Sequence, residues 1–134
     1  MRYMLDTNIC IYLTKRHPPQ VFKRLEALAQ GSAVMSVVTY AELRAGLEMQ
    51  TAHRQQDERV LALLTSRIPV LAFTASDAES FGVLRAAVRD RSRNAMDRLI
   101  AAHALSVGVI LVTNNEADFN GYPGLVVENW TRAA

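Results

Sequence analysis

Four acidic side chains lie at positions in the sequence where they could together hold a metal ion. Asp6 directly follows a short apolar run, Glu42 lies about one turn into a predicted helix, and Asp97 lies in the first turn of another. Asp118 lies in a polar loop after a later apolar run. Carboxylates crowded into one cleft repel one another unless a cation compensates them, and oxygen ligands favour Mg²⁺ or Mn²⁺. An acidic, oxygen-only metal site typically activates water against a phosphodiester.

Each of these carboxylates also has a purely structural interpretation. Asp6 could simply cap a helix, Glu42 could complete a capping box, and Asp97 could complement a helix dipole. Asp118 and its neighbour Glu116 could be solvated loop acids. Because the spacing alone does not establish that the carboxylates converge, both interpretations stay open at this stage.

Short apolar runs alternate with helical patterns along the chain. We predict strands over residues 3–5, 33–38, 68–73, 109–113 and 125–127. We predict helices that begin after Asp6 and at Pro18, and further helices over 39–49, 53–66, 76–91 and 95–106. This alternation favours an α/β fold, in which helices cover both faces of a parallel sheet. Ligands of such folds bind beyond the carboxyl ends of the strands, so the acids that follow strands are the residues of interest.

Three of the predicted helices carry capping signals at their first residues. The segments Thr39 to Glu42 and Ser76 to Glu79 match the capping-box pattern, and Asn94 is a suitable N-cap for the last helix. These signals place the predicted helix starts at residues 39, 76 and 95.

The composition is that of one globular domain spanning residues 1–134, since half of the residues are hydrophobic and 21% are charged. No apolar stretch approaches the roughly 20 residues that a membrane-spanning helix needs. Asp6 interrupts the N-terminal apolar run too early for a signal peptide, and a lone cysteine, Cys10, excludes an intramolecular disulfide. These features predict a cytoplasmic protein.

Arginine supplies most of the positive charge, with 13 arginines against 2 lysines and a net charge of +2. Five arginines and two aspartates give residues 85–98 a local charge of +3. Arginine suits bidentate phosphate contacts, so nucleic acid is one interpretation and a solvated face is the other. The candidate RNA-binding residues are Arg89, Arg91, Arg93 and Arg98.

Four segments of the chain, in this order and at this spacing, resemble the PIN-domain ribonucleases and among them the VapC toxins. They are MLDTN at 4–8, SVVTYAEL at 36–43, DRLIAAHA at 97–104, and VTNN at 112–115 followed by Asp118-Phe119. The resemblance covers essentially the whole chain. It implies a Mg²⁺- or Mn²⁺-dependent endoribonuclease of a type II toxin–antitoxin pair, with a three-layer α/β/α fold around a mainly parallel sheet of four to five strands.

The resemblance also implies site residues. Asp6, Glu42 and Asp97 match the metal-site acids of the family, and Asp118 matches a more variable fourth acid. The positions that orient those carboxylates or bound water are matched by Thr7, Asn8, Ser36, Thr113 and Asn115. In the family the fourth acid often belongs to a T-x-D-x-D-F pattern, whereas here Asn115 replaces the first acid of that pair.

The partners implied by the resemblance are an RNA, a VapB-type antitoxin and a second copy of the chain. The RNA would be a tRNA such as initiator tRNA, and the antitoxin would bind the apolar faces of residues 21–28 and 39–49. The toxin would form a homodimer, and a heterotetramer or larger assembly with the antitoxin. Two alternatives stay open: a PIN nuclease outside toxin–antitoxin pairs, and a non-catalytic module that binds RNA or protein.

His103 is not expected to act as a general base. It follows Asp97 by six residues, which is roughly 240° around a helix of 3.6 residues per turn, so the two side chains lie on different faces. We therefore predict a structural role for His103. Cys10 is predicted to be a small core residue, and Trp130 to pack the end of the chain.

Overall fold

A five-stranded sheet forms the centre of the computed structural model, which describes residues 1–50, 52–89, 95–119 and 121–132. The strands are β1 (Tyr3–Leu5), β2 (Ala33–Ser36), β3 (Val70–Leu71), β4 (Ile110–Val112) and β5 (Val127–Glu128). Their order in the sheet is β3-β2-β1-β4-β5, and all four neighbouring pairs are parallel. The predicted α/β fold with a parallel sheet is confirmed.

Helices cover both faces of the sheet and complete the three layers. They are α1 (Thr7–Lys15), α2 (Pro19–Glu26), α3 (Val37–Met49), α4 (Arg54–Arg67), α5 (Ala75–Ala87) and α6 (Ala95–Val107), with a 3₁₀ turn over Glu116–Phe119. Among the described residues, none of these helices combines the length and the apolar character that crossing a bilayer requires.

Each strand of the centre contributes to two separate cores because successive side chains point to opposite faces. In β1, Tyr3 and Leu5 pack with buried residues of α1, α2 and α4, while Met4 packs with those of α5 and α6. The first core also takes in Trp130, whose ring meets Tyr3 edge-to-face at 5.4 Å, and the buried thiol of Cys10. Both residues pack as the sequence predicted.

The start of α3 differs from the prediction. Strand β2 ends at Ser36, whose Oγ accepts a hydrogen bond from the backbone N–H of Val38 at 3.1 Å and caps α3. Val37 therefore opens the helix, and the predicted capping box from Thr39 to Glu42 is wrong. The apolar residues after Ser36 made the strand look longer than it is. Because Glu42 lies in the second turn of α3, its side chain is not engaged at the helix terminus.

The capping box of α5 lies two residues earlier than predicted. Thr74 Oγ1 accepts from Asp77 N at 3.4 Å, and Asp77 Oδ2 accepts from Thr74 N at 2.7 Å. The pattern that starts at Ser76 is therefore not the cap, although it has the same spacing. The predicted strand over 68–73 is reduced to Val70–Leu71. The predicted N-cap Asn94 lies outside the described residues.

Candidate active site

Asp6 lies at the carboxyl end of the central strand, where the chain leaves β1 and enters α1. Its Oδ1 accepts a hydrogen bond from Ile9 N at 3.0 Å, so it caps α1, and the side chain of Thr113 also hydrogen-bonds it. The backbone N–H of Asp6 donates to Val112 O at 3.0 Å, which continues the pairing of β1 with β4. The residue is only 5% exposed. Asp6 therefore does serve as the cap of α1, as its structural interpretation predicted.

Two of the four acids have a raised pKa, and the charges of other acids contribute to each rise. Burial raises the pKa of Asp6 to about 6; the hydrogen bonds from Thr113 and Ile9 oppose this rise, and the charges of Asp97 and Glu42 add to it. Burial also raises the pKa of Asp97, and the charges of Glu42 and Asp118 raise it further. Carboxylates from β1, α3, α6 and the loop after β4 therefore lie within electrostatic reach of one another.

Three of the five supporting residues predicted from the sequence hydrogen-bond one of these acids. Thr7 Oγ1 donates to Glu42 Oε1, Thr113 hydrogen-bonds Asp6, and Asn115 Nδ2 donates to Asp118 Oδ2 at 2.8 Å. Asn115 N also donates to Thr113 Oγ1 at 3.2 Å, which links the loop after β4 to the Asp6 side of the site. The site thus has a shell of hydroxyl and amide groups that hold the carboxylates.

Asn8 and Ser36 do not orient a carboxylate in this structure. Asn8 Nδ2 donates to Asn114 Oδ1 at 3.3 Å, in an exposed position beside the site. The Ser36 hydroxyl is fully buried and lies 2.7 Å from His103 Nδ1, because the capping position at the start of α3 directs it toward α6. The role that the resemblance implies for Ser36, which is to orient a carboxylate or bound water, stays a prediction.

The arginines predicted to bind RNA do not form one surface. Arg89 is exposed at the end of α5, where its Nε donates to Ala86 O at 3.3 Å. Arg98 is only 4% exposed, so its guanidinium is not presented to RNA, and for this residue the prediction is wrong. Arg98 is buried because it belongs to the inward-facing residues of α6. A count of arginines along the sequence does not show which face of a helix each one occupies. Arg91 and Arg93 lie outside the described residues.

The loop after β4 distinguishes the two candidates for the fourth acid. Glu116 is paired with Arg132, whose Nη2 lies 2.6 Å from Glu116 Oε1. Asp118 has no such cationic partner among the described residues, and its charge acts on Asp97. Asn129, which the sequence analysis did not single out, holds this loop through its Nδ2 donation to Asn114 O at 3.3 Å. No sequence pattern connects residues 114 and 129.

The donor set suits a hard divalent cation. The side chains that hydrogen-bond the acids are those of Thr7, Thr113 and Asn115, and burial together with neighbouring carboxylates raises the pKa of Asp6 and Asp97. Among the described residues, no three His, Cys, Asp or Glu side chains lie close enough to enclose an ion by themselves. Mg²⁺ keeps several of its waters and takes few direct protein ligands, so the residues fit an ion bound partly through water.

His103 lies away from the acids, on the buried side of α6. Its Nδ1 contacts Ser36 Oγ, its Nε2 lies 3.5 Å from Asp77 Oδ2, and its ring meets Phe73 edge-to-face at 5.1 Å. The expected structural location is confirmed. Ser36 and His103 are 67 positions apart in the sequence. No sequence pattern links them, so the sequence analysis did not predict their contact.

The fold and the acidic edge define a class of protein that the comparisons identify. The chain belongs to the PIN-domain family, whose model matches residues 3–125. Within that family it is similar to VapC ribonucleases along its whole length.

The relatives cover nearly the full chain. It is 40% identical over 136 residues to the tRNA(fMet)-specific endonuclease VapC of Shigella flexneri, with 98% of this chain and 99% of the relative covered. It is 35% identical over 135 residues to ribonuclease VapC2 of Rickettsia felis, with 98% of this chain and 100% of the relative covered. The crystal structure of VapBC2 from Rickettsia felis, bound to a DNA fragment from the promoter, superposes with a TM-score of 0.88 at 34% identity and covers 97% and 99%.

Proposed function

We propose that this protein is a Mg²⁺-dependent endoribonuclease toxin that inhibits translation by cleaving RNA and is neutralised by a VapB-type antitoxin. The observation that carries the proposal is the convergence of Asp6, Glu42 and Asp97, which come from three separate elements: the charge of Glu42 adds to the raised pKa of both Asp6 and Asp97. These are the three positions that match the metal-site acids of the family. The same residues would also bind Mn²⁺.

The residues divide the work as follows. Asp6, Glu42, Asp97 and Asp118 would hold the cation through their oxygens, partly by way of bound water. When bound, a divalent ion supplies Lewis-acid stabilisation for the charge that develops on phosphate oxygens.

The hydroxyl and amide groups around the acids keep the carboxylates in place during the reaction. Thr7 and Asn115 donate hydrogen bonds to Glu42 and Asp118, and Thr113 hydrogen-bonds Asp6. Hydrolysis by in-line attack of water breaks the bond from phosphorus to the 3′ oxygen, which leaves as a hydroxyl, and the phosphate stays on the 5′ end of the downstream fragment.

The proposed substrate is a tRNA, with initiator tRNA as the first candidate. Its support is the 40% identity to a protein named as a tRNA(fMet)-specific endonuclease, which extends over 98% of this chain. Of the four arginines predicted to bind RNA, Arg89 is described by the structure and is exposed. We therefore propose Arg89 for a phosphate contact.

An apolar groove beside the acids supports the proposed antitoxin partner. Helices α1, α3 and α4 enclose a cavity of about 260 Å³, which is lined by Ile11, Leu43, Leu47, Val60, Leu61 and, at its edge, Glu42. A peptide in this groove would lie next to one of the four acids and could block the site. We propose a complex with a VapB-type antitoxin, supported by the similarity to a solved VapBC structure. We further propose that the toxin forms a homodimer inside a heterotetramer or larger complex. We also propose a single domain over residues 1–134 that acts in the cytoplasm.

The proposal is tested by mapping the 5′ ends of total bacterial RNA after incubation with antitoxin-free protein, in Mg²⁺ or in EDTA. We expect a single cut in a tRNA, dependent on Mg²⁺, which leaves a 5′ phosphate. The cut should be absent with Asp6→Asn, reduced with Asp118→Asn and retained with the matched variant Glu116→Gln. Many cuts across different RNAs would instead favour a nuclease outside toxin–antitoxin pairs. Folded protein that cuts no RNA would favour the binding module.

A further inference from the structure

A buried polar chain joins three elements on the side of the fold opposite the groove. Ser36 at the end of β2, His103 in the middle of α6 and Asp77 in the first turn of α5 are each at most 3% exposed. The Ser36 Oγ to His103 Nδ1 distance is 2.7 Å, and the His103 Nε2 to Asp77 Oδ2 distance is 3.5 Å. None of these side chains is accessible to a substrate, so the arrangement is not a hydrolytic site.

The carboxylate beside Nε2 favours one tautomer of His103. Nε2 makes no hydrogen bond among the described residues, but it faces Asp77 Oδ2 at 3.5 Å, a group that only accepts hydrogen bonds, so a proton on Nε2 is favoured there. Burial lowers the pKa of His103, although Asp77 and the Ala72 carbonyl oppose the shift, so the ring is neutral. In a neutral ring Nδ1 is then the acceptor, and the Ser36 hydroxyl donates to it.

Asp77 is itself held in place and stays ionised. Burial tends to raise its pKa, but hydrogen bonds from Thr74 N, the Ser106 side chain and the Thr74 hydroxyl, together with His103, lower the pKa below its ordinary value. The polar chain of side chains therefore runs from the Asp77 carboxylate through the neutral His103 imidazole to the Ser36 hydroxyl. That hydroxyl also accepts from Val38 N and caps α3.

The contact between Ser36 and His103 joins the start of α3 to α6. These two helices carry two of the proposed metal-site acids. Glu42 lies six residues after Ser36, and Asp97 lies six residues before His103. Six residues correspond to about 9 Å along a helix axis, so His103 does not touch the acids. A shift of α6 against α3 would nevertheless change how the two carboxylates face each other, and a displacement of about 1 Å can cost a hundredfold in rate.

We propose that His103 is a positioning residue, which acts through Ser36 to fix α6 against the start of α3 and so sets the geometry of Asp97 and Glu42. The inference rests on the proposed function, since it assigns those two acids to the metal site. It gives the buried hydroxyl of Ser36 a task that differs from direct contact with a carboxylate.

The test compares His103→Leu, His103→Asn and Ser36→Ala with wild-type, antitoxin-free protein. An asparagine places an amide oxygen near the position of the imidazole Nδ1, so it can still accept from Ser36. Leu64→Ala in α4 is the matched control, because it opens a cavity in the other core and leaves the polar chain intact. The readouts are Mn²⁺ affinity by titration calorimetry without RNA, and kcat and KM for cleavage, each corrected for the folded fraction.

We expect His103→Leu and Ser36→Ala to lower Mn²⁺ affinity and kcat by about tenfold or more, with little change in KM, as for other residues that orient metal ligands. His103→Asn should recover most of this loss, and Leu64→Ala should lower stability alone. If His103→Leu does not fold, Ser36→Ala and His103→Asn carry the same comparison.

Two results would overturn the positioning role: wild-type affinity and kcat in folded His103→Leu, or no recovery in His103→Asn. A wild-type protein that neither binds Mn²⁺ nor cleaves RNA would instead overturn the proposed function on which the inference rests.

Discussion

Asp6 shows how a single carboxylate can serve both the fold and the site. Its Oδ1 caps α1 through Ile9 N, while burial and the charges of Asp97 and Glu42 raise its pKa to about 6. The ionised form at neutral pH is therefore unfavourable in the metal-free fold, and a cation would relieve it. The capping role explains why an aspartate is placed directly after β1, and the raised pKa explains why it can respond to a metal.

This raised pKa predicts that Asp6→Asn stabilises the metal-free protein. The folded-state pKa of about 6 lies above the ordinary value of 3.8, so the carboxyl group contributes stability below about pH 4 that is lost as the pH rises through about 6. The asparagine keeps an oxygen for Ile9 N and carries no charge. In EDTA at pH 8, we expect urea unfolding to show a gain of up to about 3 kcal/mol over wild type.

The same comparison at pH 4 is the control, because there the wild-type carboxyl is largely protonated and the gain should disappear. Equal or lower stability of Asp6→Asn at pH 8 would contradict the account of Asp6. Cleavage should be lost in this variant although the fold is more stable, as is common where a site is built at the expense of stability.

At this scale the sequence identified the acids but not all of their neighbours. Residue type and motif order pointed to Asp6, Glu42 and Asp97, and the structure brings them together. Ser36 was assigned to the site because of its position in a motif, and Arg98 because it belongs to a local cluster of arginines. Their side chains instead point into the interior, and burial of a side chain depends on packing that the motifs do not encode.

At the scale of elements, the start of α3 shows which residue caps the helix and which hydroxyl is left without a partner. Ser36 is the cap, so the Thr39 hydroxyl has no capping partner and is fully buried. Among the described residues, no hydrogen-bond partner is present for Thr39 Oγ1. A buried hydroxyl without a partner costs stability.

We therefore predict opposite results for two threonines that both begin capping-box patterns. Thr39→Val should raise the free energy of unfolding by about 1 kcal/mol, because it replaces an unpaired hydroxyl with a methyl group. Thr74→Ala should lower it by about 1 kcal/mol, because Thr74 is the true cap of α5. Urea unfolding at pH 7 measures both, with Ser76→Ala as the neutral control. A loss of stability in Thr39→Val would restore the capping box that the sequence suggested.

The number and order of the elements were predictable, whereas their ends were not. The alternation of apolar runs and helical patterns is a property of long segments, and it predicted all five strands. The ends of elements depend on which of several similar caps is used. The patterns at Thr74 and Ser76 overlap and are equally good as sequence, and only the packing of Asp77 beside His103 and Ser106 distinguishes them.

At the scale of the whole molecule, the sheet order creates the site. Strand β1 is central, with β2 on one side and β4 on the other, so the chain leaves all three strands at one edge. Asp6, the helix that carries Glu42, and the loop that carries Asp118 follow from these three exits. Helix α6 completes the set with Asp97.

The convergence of these four acids could not be derived from spacing, because it depends on the crossover connections between parallel strands. The family resemblance supplied it as an expectation, and the structure places Asp6 and Asp97 where the charges of other acids of the set raise their pKa. The groove between α1, α3 and α4 is likewise a property of three packed helices and not of any single segment.

The central claim is that Asp6, Glu42 and Asp97 act as one metal-dependent catalytic site. It is tested most directly by the cleavage rate of a single mapped RNA in Mg²⁺ with Asp6→Asn, Glu42→Gln, Asp97→Asn and the triple variant. Residues that act as a unit are strongly non-additive, so we expect each single variant to lose nearly as much as the triple, on the order of a thousandfold. Losses that multiply independently, or a folded Asp6→Asn that cleaves at the wild-type rate, would contradict the claim.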